Sequence, residues 1–210
     1  MRIPTSTTTP ACRAWRRRPA GTTRSWSAAL PRWRSARRRA PRRRVSSSLR
    51  PVGLAHRAPL ERLTRAAGLF REDEVAIAVE LLDDSLAGDP AYRFLGAYEG
   101  DELVGYACWG PVPGTADTYD LYWLVVDPAR QCSGVGTRLV EAVEHRLIGD
   151  GGRLVVVETS SLPAYAPTRA FYERRGYTRG ATVPGYYAPG DDLMIYFKDL
   201  ANGVLARAPA

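Results

Sequence analysis

Gln131-Cys132-Ser133-Gly134-Val135-Gly136 lies between a strand-like run at 118–126 and a helix-like run at 137–148. Two glycines one residue apart let the backbone approach a ligand and reach angles closed to other residues. A helix starting behind them presents unpaired N–H groups and the positive end of its dipole. Together these form an anion site suited to a pyrophosphate. A glycine pair alone also serves any tight strand-to-helix turn. The strand-turn-helix setting is what favours the phosphate reading.

Outward from this turn, strands and helices alternate. Strands are expected at 50–54, 92–98, 103–109 and 118–126, with Glu99-Gly100-Asp101-Glu102 joining the second and third as a hairpin. Helices are expected at 59–67 and 72–86; in the latter Val75, Ala78, Val79 and Leu82 recur at helical spacing. Behind the glycines, Leu139, Val140, Val143 and Leu147 share one helix face. Residues 154–158 form a short apolar run, like a buried parallel strand. Pro167 opens the next helix and Gly176 closes it. Runs at 177–183 and 193–197 read as a last hairpin around a 186–192 loop. The pattern is an α/β domain with one central crossover.

Composition divides the chain. Residues 1–50 hold fifteen Arg and no Asp or Glu, which leaves fifteen basic and twenty-two acidic residues, net −7, in 51–210. The high basicity therefore belongs to a tail, 1–49, rich in Arg, Ser, Thr and Pro, with Trp15, Trp26 and Trp33. Such a segment buries little and reads as disordered. Transit peptide, phosphate-gripping arm and a reading frame opened too early in an Arg-rich bacterial genome are the competing readings. Removing 1–50 is expected to leave stability and activity unchanged. One domain, 50–203, and a short tail, 204–210, complete the division. No run approaches the ~20 apolar residues of a membrane span. Cys12, Cys108 and Cys132 are widely spaced, and His56 and His145 lie far apart. No metal site is expected, and a reducing, cytoplasmic setting is.

Ala170-Phe171-Tyr172-Glu173-Arg174-Arg175-Gly176-Tyr177 follows in the order that, together with Gln131-x-x-Gly134-x-Gly136, resembles the GNAT superfamily of N-acetyltransferases. The resemblance covers roughly residues 50–200. It implies a mixed, mostly antiparallel sheet with helices on both faces and a central V-shaped cleft for coenzyme A. It implies direct acetyl transfer from acetyl-CoA to a primary amine of a small molecule, peptide or protein; a monomer or homodimer is expected. Backbone groups of Gln131, Cys132, Ser133, Gly134, Val135, Gly136 and Thr137 would hold the pyrophosphate. Leu124, Val125 and Val126 would pair with the pantetheine arm and bind the thioester carbonyl, an oxyanion-type site.

By the same resemblance Tyr172 is the general acid. A phenol is protonated at neutral pH and can donate to a departing thiolate; the bland alternative is an aromatic packing residue. Just upstream the family's usual Asn is missing, and Tyr165-Ala166-Pro167-Thr168 occupies the region. Asp120 stands where some members carry a catalytic Glu, and strand alternation places it on one face with Tyr122 and Leu124. It reads equally as base and as an ordinary strand-edge Asp or plain attractor of a cation, with Glu158 as a second candidate; by the resemblance, water chains can also serve in place of a dedicated base. The acceptor side is expected to comprise Asp120, Glu158, Asp191 and Asp192, walled by Tyr186 and Tyr187. Two other classes compete: an acyl-CoA sensor without turnover, and a nucleic-acid binder acting non-specifically through the tail.

Overall fold

The computed structural model describes residues 47–200; the reading of 1–46 and that of the 204–210 tail fall outside them, while residues 47–49, read as the end of the first tail, are ordered at the start of the domain. Strands β1 (Ser48–Pro51), β2 (Arg93–Glu99), β3 (Glu102–Pro111), β4 (Thr118–Val126), β5 (Leu154–Ser160), β6 (Thr178–Ala188) and β7 (Asp191–Asp199) form one sheet in the order β1-β2-β3-β4-β5-β7-β6. Helices α1 (Arg57–Ala66), α2 (Glu72–Leu86), α3 (Val135–Gly149) and α4 (Ala166–Glu173) accompany it. Every pairing is antiparallel except β4 with β5.

Each face of the sheet carries its own core, because each pair of helices has one apolar stripe to bury. On one face, Leu60, Leu63, Ala78 and Leu82 of α1 and α2 pack on Tyr92, Tyr98, Tyr106 and Trp123. On the other, Leu139, Val143, Leu147 and Tyr172 of α3 and α4 pack on Leu95, Leu121, Val157 and Tyr196. Each buried large apolar side chain contributes about 1.5–3 kcal/mol. The second core also holds a polar network. Glu144 of α3 accepts from the Tyr177 hydroxyl at 3.0 Å and from Lys198 Nζ at 2.7 Å. Removing either donor alone would leave a buried carboxylate short of a partner, which is why such pairs cost more to break than to omit.

Two irregularities of β4 position the site. Opposite β3, Cys108 faces Trp123 while Trp109 faces Leu121, so Tyr122 is an extra, bulged residue. A bulge reverses which face later residues occupy. Tyr122 accordingly packs with the α1/α2 core and Leu124 with the α3/α4 core. The expectation that Asp120, Tyr122 and Leu124 share a face is thereby corrected. Against β5, β4 pairs only over Thr118–Asp120 with Leu154–Val156. Beyond Asp120 the two strands part, and this is the V-shaped cleft.

Other boundaries shift too. The first strand is Ser48–Pro51 rather than 50–54, and Ser47 Oγ accepts from Arg138 at 2.7 Å. Arg50 stacks on Tyr98 at 4.2 Å. Truncation through Arg50 is therefore expected to lower the melting temperature by several degrees, since about 1–2 kcal/mol lost is roughly 2–8 °C in a domain this size; scanning calorimetry on that truncation, and on one ending at residue 46, checks it. The last hairpin turns tightly at 189–190, and β6 carries an excursion between Val183 and Ala188. Tyr186 and Tyr187 thus belong to a bulged strand, not a loop. Among the described residues no helix is long and apolar enough to cross a membrane, and no group of three or more His, Cys, Asp or Glu is placed to hold a metal.

Candidate active site

The glycine turn begins where β4 ends. Asp127 Oδ1 accepts from Ala129 N–H at 2.7 Å and opens a 3-10 turn over Pro128–Arg130. Cys132 then takes φ 61° and Gly134 φ 94°, the latter as N-cap of α3. Left-handed backbone at Gly134 carries no Cβ penalty; at Cys132 it is held against a preference. α3 starts at Val135, two residues earlier than its apolar period suggests, so Gly136 lies inside the helix. A Cβ there would sit 3.4 Å from Phe171 Cε2 and 3.5 Å from Val126 Cγ2, an ordinary packing contact, so space alone does not demand glycine at this position.

No side chain caps α3, and the first intrahelical bond runs from Arg138 N–H to Gly134 C=O. The N–H groups of Val135, Gly136 and Thr137 are left without helical acceptors, which is the anion-binding state of a helix start. Arg175, which the sequence motif did not single out, sits beside them. Its guanidinium lies 3.8 Å over the Phe171 ring and donates to Thr137 Oγ1. Burial lowers its pKa, so a nearby anion would be welcome.

Across the cleft, Asp120 and Glu158 share a face, because Asp120 pairs with Val156 and Glu158 lies two residues on. Burial, and next the charge of Glu158, push Asp120 up to about 7. Glu158 is open to the cleft, yet partial desolvation raises it as well. Tyr187 stands close enough to feel Glu158 and Asp191, though burial is the main cause of its raised pKa. Tyr186 is half exposed and meets Tyr187 edge-on at 5.1 Å. Asp191 accepts from Ser160 Oγ, while Asp192 accepts from Gly185 N–H at 2.8 Å and so ties the β6 excursion in place.

Tyr172 is buried, edge-on to Phe171 and to Tyr177 at 5.3 Å each. No described residue hydrogen-bonds its hydroxyl, and burial holds it well above the usual phenol value. It is fully protonated at neutral pH. Thr159 on the parting segment of β5 is 5% exposed, and its Oγ1 has no hydrogen-bond partner among the described residues. Nothing in the sequence distinguishes it from an ordinary strand Thr. The structure therefore gathers Asp120, Glu158, Tyr187 and Asp191 on the α1/α2 side of the cleft and the glycine turn, Arg175 and Tyr172 on the α3/α4 side.

Comparison with known proteins agrees with this geometry. Residues 60–177, more than half of the chain, match the Acetyltransferase (GNAT) family. A crystal structure of a GNAT-family acetyltransferase from Desulfovibrio desulfuricans is 41% identical, over 74% of this chain and 99% of that one, with a TM-score of 0.71. An aminoglycoside 6'-N-acetyltransferase complexed with coenzyme A shares the fold at 20% identity, over 73% of this chain and 97% of that one, TM-score 0.60. The S-(2-succino)cysteine N-acetyltransferase of Bacillus subtilis (strain 168) is 30% identical over 71 residues, 34% of this chain, and the match spans only 43% of that protein. With the parted β4 and β5, the uncapped glycine turn and these matches in agreement, the chain belongs to the GNAT family of acetyltransferases.

Proposed function

We propose that this enzyme moves an acetyl group from acetyl-CoA directly to the primary amine of a cationic acceptor. The observation that carries this reading is the carboxylate pair Asp120–Glu158 at the point where β4 and β5 part, with Asp120 raised to about 7. An amine must be neutral to attack a thioester, so a carboxyl titrating near neutrality is suited to take its proton. Glu158, Asp191, Tyr186 and Tyr187 line the acceptor side, and Asp192 holds the β6 segment that carries the tyrosines.

The coenzyme's pyrophosphate is held by backbone groups from Gln131 through Thr137, with Arg175 alongside. Leu124, Val125 and Val126 bind the pantetheine arm, and Thr159 offers it a hydroxyl. The thioester carbonyl gains a pre-set N–H dipole as it becomes an oxyanion. The amine attacks that carbon, the C–S bond breaks, and Tyr172 protonates the sulfur. The body's net charge of −7 in 51–210 draws a cation towards the cleft.

The test is a screen of amines with acetyl-CoA, read by thiol release and product mass. Cationic primary amines are expected to turn over; better turnover of acidic or neutral acceptors would count against the reading. Tyr172→Phe is expected to lower turnover about 10²-fold, the low end for a positioned acid, because a thiolate leaves without much help. Affinity for acetyl-CoA should hardly change. Wild-type turnover would assign Tyr172 to packing alone.

A further inference from the structure

Tyr165 ends a 3-10 turn, Pro163–Tyr165, between β5 and α4, in the stretch where the usual family Asn is missing. Its hydroxyl donates to the Leu69 carbonyl at 2.8 Å, across 96 positions of sequence. Leu69 belongs to the α1–α2 connection, so this bond joins two segments that flank the acceptor side.

Both ends of the bond are anchored. Phe70, next to Leu69, packs on Trp123 with ring centroids 4.7 Å apart. On the other side, Ser160 Oγ accepts from Leu162 N–H at 3.0 Å and donates to Asp191, while Arg169 donates to the carbonyls of Ser160 and Leu162 at 2.7 and 3.0 Å. Tyr165 is half-buried; burial chiefly raises its phenol to about 12, with Glu74 and Asp191 adding to the rise and Arg71 opposing it. Tyr187 shares the Asp191 charge with Tyr165, though burial is again the larger influence.

We propose that Tyr165 determines acceptor size: its bond to the Leu69 carbonyl closes one end of the acceptor cleft, so that the enzyme takes small amines and excludes polypeptides. A peptide presenting a side-chain or terminal amine must also lay its backbone along a groove, and a closed end obstructs that path. A small amine needs only a pocket with a few placed polar groups. The proposal rests on the acetyl-transfer reading above.

The experiment measures kcat/KM with acetyl-CoA for butylamine, 1,4-diaminobutane and glucosamine, against a lysine-containing hexapeptide with a blocked N-terminus and one with a free N-terminus. Wild type, Tyr165→Phe and Tyr165→Ala are compared, and an acetyl-CoA thermal shift confirms that each variant is folded. Wild type is expected to favour the small amines by about 10-fold or more, the scale on which pocket shape discriminates. Tyr165→Phe, which loses only the hydroxyl, should narrow the preference about threefold, as for one neutral hydrogen bond. Tyr165→Ala should narrow it further, with the peptides gaining most. A wild type that prefers peptides, or two folded variants that keep the wild-type ratio, would overturn the proposal. If wild type binds acetyl-CoA but acetylates neither set, the acetyl-transfer reading itself falls, and this proposal with it.

Discussion

Asp120→Asn is expected to lose roughly 10³-fold in acetyl transfer at pH 7, within the 10²–10⁴ that a positioned base supplies, while melting higher than the parent. The two effects share one cause. Asp120 titrates at about 7 instead of 3.8 because burial, and then Glu158, disfavour its charged form. As a base it must be ionised, so wild-type kcat/KM should climb as pH rises through about 7. The variant should lack that limb and recover in part at high pH, where free amine is plentiful.

The stability effect has the opposite sign. Below the unfolded value both states hold the proton, and nothing is lost. Between that value and the folded one, the unfolded chain releases a proton that the folded chain keeps, so stability declines as pH rises and stays lower above about 7. Three units at about 1.36 kcal/mol each set a ceiling of about 4 kcal/mol. Asn avoids this cost, and each kcal/mol recovered is roughly 2–4 °C. Calorimetry should show a gain that is larger at pH 8 than at pH 5. A raised Michaelis constant with unchanged kcat would make Asp120 an attractor only.

Gly134→Glu is expected to abolish acetyl-CoA binding. At 100 times its dissociation constant a ligand stabilises the folded state by about 2.7 kcal/mol, or roughly 5–11 °C here. At φ 94° any L residue is strained, although a Cβ would meet nothing within 4 Å. The damage is thus to the backbone that aims the N–H groups, and the new carboxylate repels phosphate besides. Gly134→Ala separates the two: it should keep part of the thermal shift, whereas Glu should show none. A full shift with Glu would remove the turn from the coenzyme site.

Much of this was legible in the sequence, for identifiable reasons. α2 is legible to its observed limits because Val75, Ala78, Val79 and Leu82 alternate with charge at helical spacing. The glycine turn was legible because Gly134 meets a backbone demand no other residue meets as cheaply. The bulge at Tyr122 was not, since neither Gly nor Pro marks it and only the pairing with β3 creates it. The early start of α3 is hidden because Gly136 lowers helix propensity, yet it lies inside the helix, one residue past Val135. The 186–192 stretch looks like an open loop in sequence, because its tie through Gly185 N–H to Asp192 is a tertiary fact. In sequence Tyr165 is only a departure from the family pattern, because its partner lies 96 residues away.

Lys198 is the single lysine among thirty basic residues, and its ammonium is held by Glu144 beside the Tyr177 ring. Its side chain keeps only 22% of its exposure. A protein built to hold activated acetyl groups therefore offers almost no side-chain amine of its own to receive one. Incubated with radiolabelled acetyl-CoA and no acceptor, the folded enzyme should stay nearly unlabelled on side chains, and label at Lys198 would report unfolding rather than turnover. Reagents that attack lysine should likewise spare the Lys198 side chain until its pairing with Glu144 is broken.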